Sequence, residues 1–163
     1  MVSKNMEKAL SDQVNKELAS AYLYMAMSAH LEAQEYPGAA KWVRQQAREE
    51  VGHAMKLAEH AFDRGSRVVL EAMEKPPVEF GDLEKTFKAI LEHEKKVTAS
   101  IHKLYEVALN EKDYAAQVLV QWFITEQVEE EKTAQEIIRQ LEAAEGRGHL
   151  LLMIDHRLGE RGD

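Results

Sequence analysis

Hydrophobic positions recur along this chain at alternating steps of three and four residues, over four long stretches, which is the period of amphipathic helices. In the first stretch Leu10, Val14, Ala21, Tyr24 and Leu31 share a face with Glu17 and Ser28. In the second, Ala40, Val43, Ala47, Ala54, Leu57 and Ala61 share one with Glu50, and His53 follows three residues on. The third sets Leu83, Phe87, Ile90, Val97, Ile101, Leu104 and Ala108 beside Glu94. The fourth sets Ala116, Val120, Phe123, Ala134, Ile137 and Leu141 beside Gln127 and Glu130. Each apolar stripe is therefore interrupted near its middle by a carboxylate.

Punctuation residues bound the helices. Ser3 is suited to cap the first, which should run to about Ala33. Pro37 suits the start of the second, and Gly65 suits its end near Arg64. Asp82 and Asp113 are expected to cap a third helix reaching about Asn110 and a fourth reaching about Glu145. Gly146 and Gly148 precede a short fifth helix, about His149 to Leu158. Short breaks make helices one and two antiparallel, and likewise three and four. The stretch from Ser66 to Gly81 is long enough to cross the length of a bundle, so helices two and three should run parallel. The expectation is all-α: one domain over 1–163, with a four-helix bundle over about 3–145, one long crossover and a short terminal helix over about 149–158.

Counted from the turns at about 1.5 Å per residue, Glu17, Glu50, Glu94, Gln127 and Glu130 fall in one slab across the middle of that bundle. Ionised carboxylates do not gather in a core unless something cationic neutralises them. Four carboxylates supply acceptors and too few donors to satisfy one another. Oxygen ligands with one imidazole, from Glu50 and His53 on one helical face, suit iron or zinc.

Composition narrows the classes. The 163 residues are 45% hydrophobic, enough for a sizeable core, and the net charge of −8 offers no basic stripe to nucleic acid. The absence of cysteine removes disulfides, iron–sulfur clusters and Cys-type zinc sites. No apolar run suits a signal peptide or a bilayer span, so no membrane partner and a cytoplasmic location are expected.

Several spaced pieces together carry a family resemblance. They are Glu17-Leu18-Ala19-Ser20-Ala21-Tyr22-Leu23-Tyr24; Glu49-Glu50-Val51-Gly52-His53-Ala54-Met55-Lys56; Arg64-Gly65 with Glu74-Lys75-Pro76-Pro77; Glu92-His93-Glu94; and Trp122-Phe123 before Glu126-Gln127-Val128-Glu129-Glu130-Glu131. The pattern resembles the prokaryotic non-haem ferritins, within the ferritin-like di-iron carboxylate family, over essentially the whole chain. The resemblance implies a ferritin-like fold and oxidation of Fe²⁺ with O₂ or peroxide. It implies ferric storage inside a closed shell of 24 subunits. It implies that Glu17, Glu50 and His53 form one iron site, that Glu94 and Glu130 form the other, and that Glu50 bridges them. It sets Gln127 and Tyr24 beside the pair, and Glu49, Glu126 and Glu129, with Glu130, at a third iron. The blander reading of Glu49, Glu126 and Glu129 is a solvated acidic face.

Departures from relatives refine this. Bacterioferritins carry a second Glu-x-x-His on the fourth helix, where this chain has Gln127-x-x-Glu130, and a haem-ligating methionine where it has Val51, so no haem is expected. Rubrerythrins need cysteines for their second iron centre. Animal ferritins line threefold channels with acids at positions that here hold Gln117 and Val120, which argues against an acidic threefold route for iron. The remaining histidines, His93 among them, read as structural or surface residues. The apolar load of Leu150, Leu151, Leu152, Met153, Ile154 and Leu158, and of Val68, Val69 and Leu70, suggests burial against a partner. Three functions stay open: an iron-oxidising store, a di-iron oxidoreductase acting on peroxide without storage, and a structural cage whose metal site is incidental.

Overall fold

The computed structural model describes residues 2–161; Met1 and residues 162 and 163, the ends of the expected domain, lie outside the described residues. Five helices follow in order: α1 (Lys4–Ala33), α2 (Pro37–Asp63), α3 (Leu83–Asn110), α4 (Tyr114–Ala144) and α5 (Gly148–Gly159). The described residues contain no strand, and no helix among them is long and apolar enough to cross a membrane.

Three caps fall where the sequence put them. Ser3 accepts from the Met6 amide, Asp82 from Lys85 and Asp113 from Ala116. Helix α2 is different, because Tyr36 makes no side-chain cap. Its free amides at Gly38 and Ala39 instead donate to the carboxylate of Asp155, at 3.2 and 2.7 Å. Asp155 belongs to α5, so the terminal helix supplies the missing cap and is docked by it. Gly38 is required at this contact: a Cβ there would meet the Asp155 carbonyl oxygen at 1.9 Å.

Two apolar clusters lie at opposite ends of the bundle. One joins Met6, Leu10 and Val14 of α1 to Leu57 and Ala61 of α2, Ile101 and Leu104 of α3, and Val120 and Phe123 of α4. The other joins Tyr24, Met27 and Leu31 to Ala40 and Val43, Phe87 and Ile90, and Ile137 and Leu141, with Ile154 and Leu158 of α5 added. Along α1 and α4 the chain passes from the first cluster to the second; along α2 and α3 it passes back. The helices α2 and α3 are thus parallel, and the segment between them returns the length of the bundle.

That segment, 66–81, has no helix of its own and is held by α1. Arg67 donates its amide to Glu7; Ser11 donates to the Arg67 carbonyl and accepts from the Val69 amide. Asn15 donates to the Val69 carbonyl and accepts from Glu71. Steps of four residues along a helix advance about 6 Å, and steps of two along an extended chain about 6.6 Å, so Glu7, Ser11 and Asn15 keep register with residues 67, 69 and 71. At the far end His30 and Gln34 both hold the Gly81 carbonyl.

The apolar load of α5 is divided. Ile154 and Leu158 are buried within this chain, whereas Leu152 and Met153 remain exposed. Part of what the sequence assigns to a partner is therefore hidden here, because Asp155 folds the helix back onto the start of α2. Val69, Leu70, Met73 and Val78 of the crossover are exposed, as are Tyr22 and Met25 of α1.

Candidate metal centre

Between the two apolar clusters sits a layer of buried polar side chains: Glu17, Glu50, His53, Glu94, Gln127 and Glu130. Each helix delivers its residues at the point where its stripe changes from one cluster to the other. Glu17, Glu50 and His53 bring one ligand atom apiece within 4.8 Å of one another. His53 Nδ1 lies 3.6 Å from Glu50 Oε2, and its ring is fixed edge-on against Trp122 and Phe123.

Three of the four carboxylates are braced by glutamine amides. Gln13 donates to Glu17 at 2.7 Å, Gln46 to Glu130 at 2.6 Å and Gln127 to Glu94 at 3.0 Å. Tyr24 also donates its hydroxyl to Glu94. Ser100 donates to the Gln13 carbonyl oxygen, which turns the amide end of Gln13 toward Glu17. Glu50 has no such brace. Both of its oxygens are buried without a partner, as is Oε2 of Glu17. Four buried acids face each other with four amide and hydroxyl donors on three of them and none on the fourth. That is a donor set short of positive charge in the middle, and a divalent cation fits it.

Without that cation the acids hold protons. Burial pushes the Glu50 carboxyl up to about 8, helped by the charges of Glu94, Glu130 and Glu49, although the facing Glu17 pulls the other way. Burial raises Glu17 well above the ordinary range, and its approach to Glu50 raises it further. Glu130 rises to about 7 through burial and the Glu94 charge. Glu94 is raised by burial too, against the donors Tyr24 and Gln127.

The other residues expected at the site lie as follows. Tyr24 is fully buried, its phenol held neutral by burial and by the charges of Glu94 and Glu50. Glu49 is half-buried, Glu126 half-buried and Glu129 exposed. Glu49 pairs with Arg161, whose terminal nitrogen donates to both of its oxygens at 3.0 and 2.8 Å. His93 turns away from the acids: its Nε2 lies 2.8 Å from Ser20 Oγ, its ring stands edge-on to Tyr24, and burial lowers it to about 4. Sequence reasoning missed Gln13, Gln46 and Arg161. A signal exists for the first two, since each glutamine stands four residues before a stripe glutamate, Glu17 or Glu50, on the same helical face.

An antiparallel-paired bundle with one long crossover and a carboxylate–histidine layer at mid-height is a ferritin-like arrangement. The Ferritin-like domain family model matches residues 7–144, and the chain belongs to the ferritin family. A bacterial non-heme ferritin of Staphylococcus aureus (strain USA300) is 37% identical over 161 residues, 99% of this chain and 97% of the relative. The corresponding protein of Staphylococcus epidermidis is 41% identical over 133 residues, 82% of this chain and 80% of that one. Among solved structures, an open pore ferritin from the hyperthermophilic archaeon Archaeoglobus fulgidus superposes with a TM-score of 0.98 at 40% identity, covering 99% of this chain and 100% of that one. A closed form of the Archaeoglobus fulgidus ferritin, engineered by site-directed mutagenesis, superposes with a TM-score of 0.97.

Proposed function

We propose that this protein stores iron, oxidising Fe²⁺ at the mid-bundle centre and holding the ferric product inside a shell of its own subunits. The observation that carries the reading is Glu50, a buried carboxylate with two unpartnered oxygens facing acids that are each braced from behind. Two free oxygens on one side chain suit a bridge between two metals. In this reading Glu17 and His53 complete one iron site, Glu94 and Glu130 the other, and Gln127 and Tyr24 hold Glu94. Two Fe²⁺ give up one electron each. One O₂ accepts both and, with two protons, leaves as hydrogen peroxide; peroxide as acceptor takes the two electrons and two protons to water. The carboxylates favour Fe³⁺ by supplying negative oxygen ligands. Iron displaces the protons that Glu17, Glu50 and Glu130 otherwise hold. Glu49, Glu126 and Glu129, with Glu130, form the proposed third iron site.

Self-association is supported by the exposed apolar residues of the crossover and α1, and by Leu152 and Met153. The Archaeoglobus fulgidus relative is an open pore ferritin, and a shell of 24 subunits is the proposed assembly here. One experiment tests both parts: Fe²⁺ is added without oxygen, O₂ is then admitted, and particle mass is measured on the same sample. Fast oxidation with ferric iron retained in a large particle supports the proposal. Oxidation no faster than in buffer overturns it, and oxidation without retained iron leaves a di-iron oxidase that does not store.

A further inference from the structure

The geometry points to Arg161 as the resident cation of Glu49, a positioning residue that sets how tightly the third metal binds. The inference rests on the reading of Glu49 as a ligand to that metal. Three contacts fix the guanidinium. It chelates both oxygens of Glu49 at 3.0 and 2.8 Å, donates to the Gln46 carbonyl oxygen at 3.1 Å, and lies over the Trp42 ring at 4.6 Å. Gln46 in turn donates to Glu130 at 2.6 Å, so Arg161 stands one residue away from the iron pair. Its position is built into the fold. Asp155 anchors α5 to the first turn of α2, and Gly159 packs so closely on Gly38 that a Cβ would lie 3.1 Å from the Gly38 Cα. The chain leaving α5 then runs beside Trp42, Gln46 and Glu49, which share one face of α2 at steps of four and three.

A metal arriving at Glu49 competes with one guanidinium nitrogen that already donates to both carboxylate oxygens, while the other terminal nitrogen holds Gln46. The pair is partly open to solvent, with side chains 29% and 34% exposed, so the guanidinium is displaceable rather than permanent. The two partners of the guanidinium answer differently to its loss. Gln46 stays oriented without Arg161, because only its amide end can face Glu130. Glu49 keeps only the long hydrogen bond from the Gln45 amide, at 3.5 Å, and loses its cation. Loss of Arg161 is therefore read at the third metal and not at the first two.

The test uses the assembled protein and Zn²⁺, which binds without redox chemistry, with calorimetric titration and a zinc-soaked structure of each variant. The native chain is expected to take up two zinc ions per subunit tightly and a third weakly. Arg161→Met should tighten the third by on the order of tenfold and leave the first two unchanged. Arg161→Lys, which keeps the charge without a second nitrogen to hold Gln46, should fall between. Adding Glu49→Gln to Arg161→Met should remove the gain. A third zinc of unchanged or weaker affinity in Arg161→Met overturns the inference while the first two ions still report an intact di-metal centre. Failure of the native chain to bind the first two overturns the functional reading and this inference with it.

Discussion

Gln46 of α2 donates to Glu130 of α4 across 2.6 Å, and Gln13 stands in the same relation to Glu17, at 2.7 Å along α1. Each glutamine fixes one oxygen of a carboxylate and, in the proposed site, leaves the other for metal. Outer-shell partners of this kind commonly hold 10- to 100-fold of metal affinity. Gln46→Leu and Gln13→Leu should each weaken one of the two tight metals by roughly tenfold or more. Titration with Zn²⁺ checks this, and affinities equal to the native protein's would mean that the glutamines only fill space.

The same layer sets how metal-free stability depends on pH. Glu50 and Glu130 titrate near 8 and 7 in the folded protein against an ordinary value of 4.5. Between those values the folded chain binds more protons than the unfolded one, so unfolding free energy falls as pH rises. The contribution is fully present below about pH 4.5 and is lost as pH passes 7 and then 8. Metal-free protein should melt lower at pH 8.5 than at pH 6, and saturating Zn²⁺ should reverse the order, because the ligands must lose those protons to bind. Thermal unfolding at fixed protein concentration checks it; a metal-free midpoint that rises with pH contradicts the buried, protonated acids.

The role proposed for Glu50 opposes stability. Replacing a buried carboxylate that lacks partners with an apolar side chain of similar size removes a desolvated charge. Glu50→Leu should therefore melt higher than the native metal-free protein at pH 8, and should lose fast iron oxidation. Stopped-flow oxidation and calorimetry on the same preparation separate the two effects. Undiminished oxidation would show that Glu50 is no bridge.

Much of this architecture is local in sequence, and what is local was legible. Ser3, Asp82 and Asp113 cap amides three residues away, and the stripes through Glu17, Glu50, Glu94 and Glu130 place the acids at one height because helical rise is constant. What joins distant segments was not legible. The cap of α2 comes from Asp155, 117 residues from Gly38, and nothing near Tyr36 announces it. Gln13 and Gln46 each stand four residues before a stripe glutamate, but that Gln46 holds Glu130 of another helix shows only in the closed bundle. Arg161 follows a short terminal helix, with no periodicity to assign it a face. Glu7, Ser11 and Asn15 do carry a signal, the step of four, but it becomes meaningful only beside the extended backbone they hold.

The contact between Asp155 and α2 can be broken from either side. Asp155→Ala leaves the Gly38 and Ala39 amides unpaired and should cost about 1–2 kcal/mol, as other N-caps do. Gly38→Ala forces a methyl group against the Asp155 carbonyl, and should displace α5 outright. Because Arg161 lies over Trp42, both variants should change the fluorescence of that residue in the metal-free state. Native-like emission and melting in both would mean that α5 docks through Ile154 and Leu158 alone.

Assembly should depend on the crossover's outer face. Val69, Leu70, Met73 and Val78 leave an apolar strip beside Tyr22 and Met25, while the inner edge of the segment is tied to α1 by Glu7, Ser11 and Asn15. The backbone is thus held in place by the bundle, and the exposed side chains are free for a second subunit. Leu70→Glu with Val78→Lys should leave each subunit folded, since neither side chain enters its core. The doubly charged strip should reduce a large particle to monomers as read by light scattering, with helix content unchanged by circular dichroism. A particle of native mass would move the contact elsewhere, with Leu152 and Met153 of α5 the next apolar pair to alter. A native protein that is monomeric yet oxidises iron would detach storage from the catalytic layer altogether.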